Sequence, residues 1–364
     1  MKLGLGLYRH MLTTEYYDFA CQAGCTHVII HLVDYFRSGC ANPRSNQPTG
    51  EKYAPWGVAG DPEKLWTVEE LRAIRHEVER AGLTLAGIEN LDPGHWHDIL
   101  LDGPLRAKHI ENVKTIVRRM GEAQIPVLGY NFSIAGVCGR ISGPSGRGRA
   151  ITVGMDGPAD DVPIPRGTVW NMVYEDGNGG ALPSISHQEL WNRLFLFLEE
   201  IIPVAEKAGV RLALHPDDPP MPTMRRQPRL VYQPHMYQRV LEAMPSRSNA
   251  LELCVGTLAE MTEGDVYDAV DQFSRQGNIA YVHLRNVKGK VPKYRETFID
   301  EGDVDMVRIL SILKRTQFDG VVIPDHTPQM SCSDPWHAGM AHTLGYIAGA
   351  LSSLEKQQFN SEKR

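Results

Sequence analysis

The sequence predicts a single α/β domain, a (β/α)8 TIM barrel with a long insertion after its fourth strand. Three observations carry this. Eight short runs rich in Val, Ile and Leu recur along the 364 residues, and most stretches between them have helical periodicity. Ala-Gly at 81–82, Ala-Gly at 208–209 and Gln-Gly at 276–277 stand as helix stops just before strands. Runs that are apolar throughout and too short for helices are the pattern of parallel strands buried on both faces. A doubly wound open sheet is the runner-up, but the Gly-x-Gly-x-x-Gly that would open a helix and cradle a phosphate is missing.

In chain order the strands are expected at Leu3–Tyr8, His27–Leu32, Leu83–Glu89, Pro126–Phe132, Val210–His215, Ala250–Val255, Ile279–Leu284 and Gly320–Asp325. A short helix, Tyr16–Ala23, follows the first. The longer ones are Val68–Ala81, Leu105–Met120, His187–Ala208, Gln233–Met244, Val266–Gln276 and Val304–Lys314, with Trp336–Leu354 closing the set. The barrel domain is expected over 1–354 and a frayed polar tail over 355–364. Residues 133–186, dense in Gly, Pro, Asp and Arg, exceed what one crossover needs. Leaving the C-terminal end of a barrel strand, that insertion belongs to the catalytic face, as a lid, an oligomer contact or a disordered segment.

Composition excludes several classes. Lys+Arg 38 against Asp+Glu 44 gives a net charge of −6, with neither the basic stripe that nucleic acid requires nor the polybasic patch of a membrane-surface protein. No apolar run spans a bilayer, and the N-terminus lacks a signal-peptide pattern. Six cysteines, at 21, 25, 40, 138, 254 and 332, are too few for a disulfide framework in a chain this long. A cytoplasmic protein with reduced thiols is expected.

Catalytic groups of this fold sit at strand C-termini. Strands five to eight end in His215-Pro-Asp-Asp-Pro-Pro, Leu-Cys254-Val-Gly, His283-Leu-Arg285-Asn286 and Pro-Asp325-His326. Imidazole, thiolate, imidazole and carboxylate on four successive strands form a ligand set for a divalent transition metal. Any one of these residues alone reads as a satisfied core residue; four at one level of one mouth do not. Glu89, Tyr130 and Asn131 close strands three and four, Arg285 offers a cation to an anionic substrate, and Trp336 an apolar wall. Barrel packing is the competing reading of Tyr130.

These strings, with Glu301-Gly-Asp-Val-Asp-Met306, Pro126-Val-Leu-Gly-Tyr-Asn-Phe132 and Gly87-Ile-Glu89, resemble the mannonate dehydratase family from the first strand to Gly349. The resemblance implies a xylose-isomerase-like barrel and a hydro-lyase that converts D-mannonate to 2-keto-3-deoxy-D-gluconate with a divalent metal, Mn²⁺ first, with Fe²⁺, Co²⁺ or Zn²⁺ as alternatives. It implies His215, Cys254, His283 and Asp325 as metal ligands, His326 as an acid/base residue, and a homo-oligomer. Arg285 or Asn286 would hold the carboxylate or hydroxyls. Two stretches depart from the family. Asp334-Pro-Trp336-His337-Ala-Gly-Met340 lacks the tyrosine taken there as a second acid/base group, so His337 is the candidate substitute. The loop after strand four reads Ala-Gly-Val-Cys-Gly-Arg140 instead of Asp-Trp-Thr-Arg. The alternatives are a dehydratase for another aldonate, a metal-dependent sugar isomerase or epimerase, and a sugar-acid sensor without catalysis.

Overall fold

The structure is a computed structural model that describes residues 1–37, 55–157 and 161–362; Cys40 and residues 158–160 of the insertion lie outside these. Eight parallel strands close into a barrel: β1 (Lys2–Leu7), β2 (His27–Ile30), β3 (Thr84–Glu89), β4 (Val127–Tyr130), β5 (Arg211–Leu214), β6 (Asn249–Cys254), β7 (Ile279–Leu284) and β8 (Val321–Pro324). Each pairs with its sequence neighbours, and β1 closes the ring against β8. Every strand expected from the apolar runs is present, within two residues at either end.

The outer layer comprises α1 (Thr14–Gln22), α2 (Val68–Arg80), α3 (Pro93–Leu101), α4 (Arg106–Glu122), α5 (His187–Ala208), α6 (Met236–Ala243), α7 (Val255–Glu260), α8 (Val266–Arg275), α9 (Met306–Arg315) and α10 (Pro335–Glu362). Local chemistry sets their ends. Ser186 and Glu189 form a reciprocal capping box that opens α5, and Gly209, at φ 68°, closes it in the left-handed region. Helices α3 and α7 were not expected: α3 is buried on nearly every residue and α7 is six residues long, so neither carries a one-sided apolar stripe. The tail is corrected too, since α10 continues through 355–362.

The insertion is more regular than its composition suggests. Ile141–Gly143 and Thr152–Asp156 extend a hairpin that follows β7 (Asn286–Lys290 with Lys293–Thr297) into a four-stranded antiparallel sheet. Met172–Val173 pairs antiparallel with Thr168–Val169 on one side and parallel with Gly57–Val58 on the other.

Side-chain alternation divides the core in two. Leu128, Tyr130, Leu212, Leu214, Leu251 and Leu253 join the large cluster between barrel and helices. Ile29, Val127, Ala213, Ala250, Tyr281 and Ile323 form a separate cluster inside the barrel. Counting upward in steps of two from these inward residues reaches His31, Asn131, His215, Cys254, His283 and Asp325. The inward faces of these six strands therefore run from buried, mostly apolar residues deeper in the barrel to polar groups at the C-terminal mouth. Among the described residues no helix is long and apolar enough to cross a membrane.

Candidate active site

The four ligand candidates converge as the alternation requires. One ring nitrogen each of His215 and His283 and the Cys254 Sγ lie within 4.8 Å of one another. Asp325 Oδ2 is 3.8 Å from Cys254 Sγ and 3.7 Å from His283 Nδ1. His215 Nδ1 sits 2.6 Å from the Pro216 carbonyl, which only accepts, so Nδ1 carries a proton and Nε2 is the nitrogen left to serve as a ligand. Burial pushes the Cys254 thiol up, but Arg285 and the two imidazoles outweigh it and bring the group down to about 5. Both ring nitrogens of buried His283 face carboxylates, Asp325 at Nδ1 and Glu252 and Glu89 at Nε2. A thiolate, two imidazoles and a carboxylate gathered at one point fit a divalent transition metal.

Beneath this level lies a second polar layer. Glu252 Oε1 and Glu89 Oε2 approach His283 Nε2 at 3.2 and 3.3 Å. Burial and the neighbouring Glu89 push Glu252 up to about 8, while His31 and His283 overcome burial and hold Glu89 down at about 2. The two neighbouring carboxyls are thus driven apart, Glu252 toward its protonated form and Glu89 toward its ionised one. Gly129 makes room for them, because a Cβ there would stand 2.3 Å from Tyr281 Oη and 2.7 Å from Glu252 Oε2. A third cluster, His97, Asp98 and His109, is not metal-ready: His109 Nδ1 already accepts the Asp98 N–H at 3.1 Å, so in the neutral ring Nε2 carries the proton.

His326 sits beside the ligands as part of a dyad. Its Nδ1 is 3.1 Å from Glu296 Oε1, and its Nε2 is 3.1 Å from Asp325 Oδ1. Glu296 is held down at about 2, as His326 and Arg285 override the effect of burial. A carboxylate accepting from Nδ1 fixes the ring and leaves Nε2 to exchange a proton, the logic of a base with its orienting acid. Glu296 comes from the hairpin after β7, and no strand-end pattern marks it.

Glu89, Asn131 and Trp336 line the mouth as expected from the sequence. Four other candidates do not, and each is corrected by geometry. Tyr130 lies on the outward parity of β4 and packs against Phe197 of α5, with ring centroids 5.5 Å apart. Arg285 is fully buried behind the ligands, bonded to Asp325 (3.0 Å), Glu260 (2.6 Å), Asp218 (3.1 Å) and Glu296 (3.2 Å). Asn286 spends its amide on the 299–304 turn, donating to the Ile299 and Val304 carbonyls and accepting from the Val287 and Val304 amides. His337 is one helical step past Trp336, which turns it about 100° away from the mouth. It stacks on Tyr16, with its Nδ1 2.8 Å from Asp334.

Sequence reasoning missed what faces the ligands. From the segment after β2 come His31, Tyr35 and Trp56, and the insertion contributes Arg140 and Trp170. Arg140 Nη1 is 3.4 Å from Glu296 and 3.9 Å from Asp218 and borders the cavity. The inward parity of His31 with Ile29 was the available signal. For Arg140 the signal was its place at the end of the loop that stands where the family has Asp-Trp-Thr-Arg; for Trp170, carried by a long irregular loop, there was none.

Comparison with known proteins bears on this arrangement. A family model described as D-mannonate dehydratase (UxuA) matches residues 46–138 and 180–361. The mannonate dehydratase of Lactococcus lactis subsp. cremoris is 30% identical over 328 residues, covering 81% of this chain and 89% of the relative. That of Streptococcus suis (strain 05ZYH33) is 32% identical over 279 residues, covering 72% and 75%. Among solved structures, mannonate dehydratase from Streptococcus suis serotype 2 superposes with a TM-score of 0.76 at 24% identity, over 98% of this chain and 96% of that one. An L-ribulose 3-epimerase does so at 0.57 with 14% identity, over 98% and 97%. At these identities the structural likenesses show the fold alone. The family match is interrupted over 139–179, the segment that carries Arg140 and Trp170.

Proposed function

We propose, from the premise that this chain belongs to the D-mannonate dehydratase family, that it is a hydro-lyase removing water from D-mannonate to give 2-keto-3-deoxy-D-gluconate. The reaction takes the weakly acidic proton from the carbon next to the carboxylate and breaks the C–O bond of the neighbouring hydroxyl. The hydroxyl leaves as water, and the resulting enol takes a proton at C3 to give the 2-keto acid. The observation that carries this reading is the convergence of His215, Cys254, His283 and Asp325 with a Glu296-oriented His326 at their edge.

The four ligand residues would hold a divalent ion, Mn²⁺ in our reading, which when bound supplies Lewis-acid stabilisation for charge building on the substrate. The chain's own groups do the rest. His326, with Nδ1 fixed by Glu296, moves a proton at Nε2. Arg140 at the cavity wall offers the cation for the substrate carboxylate, the role sequence reasoning gave to Arg285. Arg285 instead keeps Cys254 ionised and Asp325 in place from behind. The aromatic wall of Trp56, Trp170 and Trp336 narrows the water-accessible mouth.

The test is purified protein with added Mn²⁺, incubated with D-mannonate and a panel of other aldonates and assayed for 2-keto-3-deoxy acid, with Cys254→Ser and His326→Asn as controls. Product from D-mannonate that is lost in both variants supports the reading. Aldose–ketose conversion without loss of water would overturn it in favour of an isomerase.

A further inference from the structure

Four polar side chains on the mouth wall away from the ligands form a directed chain of hydrogen bonds. Asn131 Nδ2 donates to Asn90 Oδ1 at 3.0 Å, and Asn90 Nδ2 donates to Tyr35 Oη at 3.0 Å. Tyr35 Oη lies 3.1 Å from His31 Nδ1. With Asn90 donating to Tyr35 Oη, the arrangement that continues the chain has the Tyr35 O–H donating to His31 Nδ1. The neutral imidazole must then carry its proton on Nε2. That nitrogen is 3.8 Å from Glu89 Oε1, too far for a bond between them, and both residues border the cavity.

We infer that His31 Nε2–H and the Glu89 carboxylate form a hydroxyl subsite, a fixed donor beside a fixed acceptor that together select a substrate hydroxyl, with Tyr35 as the positioning residue. This deepens the dehydratase reading and rests on it. A hydroxyl donates one hydrogen bond and accepts others, so it satisfies both partners, whereas a carboxylate would meet Glu89 as a like charge. The substrate carboxylate is accordingly placed toward Arg140 and the hydroxylated end toward β2 and β3. His31 acts here as a donor and not as a base, since its basic nitrogen is occupied by Tyr35.

Burial keeps His31 below the ordinary histidine range, outweighing the Glu89 carboxylate that pulls the other way. The other groups acting on it are His283, Asp325 and His326 at longer range, with the Tyr8 ring packed 4.9 Å from its own. A polar pair built to bond a hydroxyl discriminates strongly against an analogue that lacks it, because the pair is then left unsatisfied.

The test combines kinetics with a readout independent of turnover. His31→Phe lowers kcat/KM on D-mannonate roughly 10- to 100-fold, and His31→Gln, which restores a donor, recovers most of that loss. The acidic and basic limbs of the pH profile stay where they are in both variants. For one monodeoxy analogue of D-mannonate, lacking a hydroxyl at C4, C5 or C6, wild type and His31→Phe are equal. Independently, ¹⁵N-histidine NMR of protein loaded with diamagnetic Zn²⁺ shows His31 as the neutral Nε2–H tautomer from pH 6 to 8. A protonated Nδ1, a titration within that range, or a pH limb that disappears with His31→Phe would overturn the inference. If the wild type dehydrates no aldonate, the functional reading fails by itself. The subsite is then judged by the NMR and by calorimetric D-mannonate binding, and unchanged binding in His31→Phe would sink it.

Discussion

The two halves of the barrel mouth are built differently. Strands β5 to β8 each bring one ligand-type residue to the same level, on inward positions two residues above a buried apolar or polar one. Strands β1 to β4 bring aromatic and amide groups that bond to one another before they bond to anything else. The first half concentrates charge, so its behaviour is electrostatic: Arg285 behind, carboxylates beside, and a thiolate at about 5. The second half fixes directions, so its behaviour is geometric. A dehydratase needs both, because stabilising charge on a sugar acid does not choose which hydroxyl leaves.

The largest effect that separates the halves is loss of the ligand set. Cys254→Ser or His283→Ala abolishes measurable turnover and stoichiometric metal uptake together, read by metal analysis after gel filtration; retained metal would break the comparison. Next, His326→Asn lowers kcat about 10²- to 10⁴-fold, the range for losing a general acid or base. Glu296→Gln lowers it less, because the ring remains but its orienting partner is neutral. Equal losses would mean that Glu296 does more than orient.

Arg285→Met leaves Glu260, Asp218 and Asp325 without their cation in a buried site, and urea unfolding should show a loss of about 3–5 kcal/mol. Weaker metal binding, by about 10- to 100-fold, accompanies it. A substrate-contact role would instead raise KM and leave stability unchanged. Gly129→Ala drives a methyl into Tyr281 and Glu252 and costs about 1–3 kcal/mol by the same measurement.

The smallest effect is a control outside both halves. Burial and nearby His97 hold His109 down at about 3 from an ordinary 6.5. The folded chain therefore refuses a proton that the unfolded chain accepts. Stability is complete above about 6.5 and falls as the pH drops toward about 3. His109→Gln removes that dependence, so its urea midpoint drops less between pH 7 and 5.5 than the wild type's. An equal drop would place the titrating group elsewhere.

The eight strands and most helices were legible because burial and hydrogen bonding within one element leave a period in the chain. The ligand candidates were legible for a related reason: each lies at the end of its own strand, and a strand end in a closed barrel has one address. Tyr130 shows the limit of reading strand ends without parity, since one residue's shift moves a side chain from the mouth to the helix layer. His337 shows the same on a helix, where Trp336 and Met340 border the cavity and their neighbour faces Tyr16.

What the chain determined by itself was the barrel and the four ligand candidates at its strand ends, since these depend on spacing along a single segment. Only the tertiary structure decided that Arg285 is buried behind the ligand candidates, that Arg140 and Trp170 of the insertion line the same cavity, that Glu296 meets His326, and that Asn131, Asn90, Tyr35 and His31 join in one chain of contacts. Each of these depends on which of several segments meet at one point. That is fixed by packing among residues up to 156 positions apart, as for Arg140 and Glu296, and leaves no local pattern in the sequence.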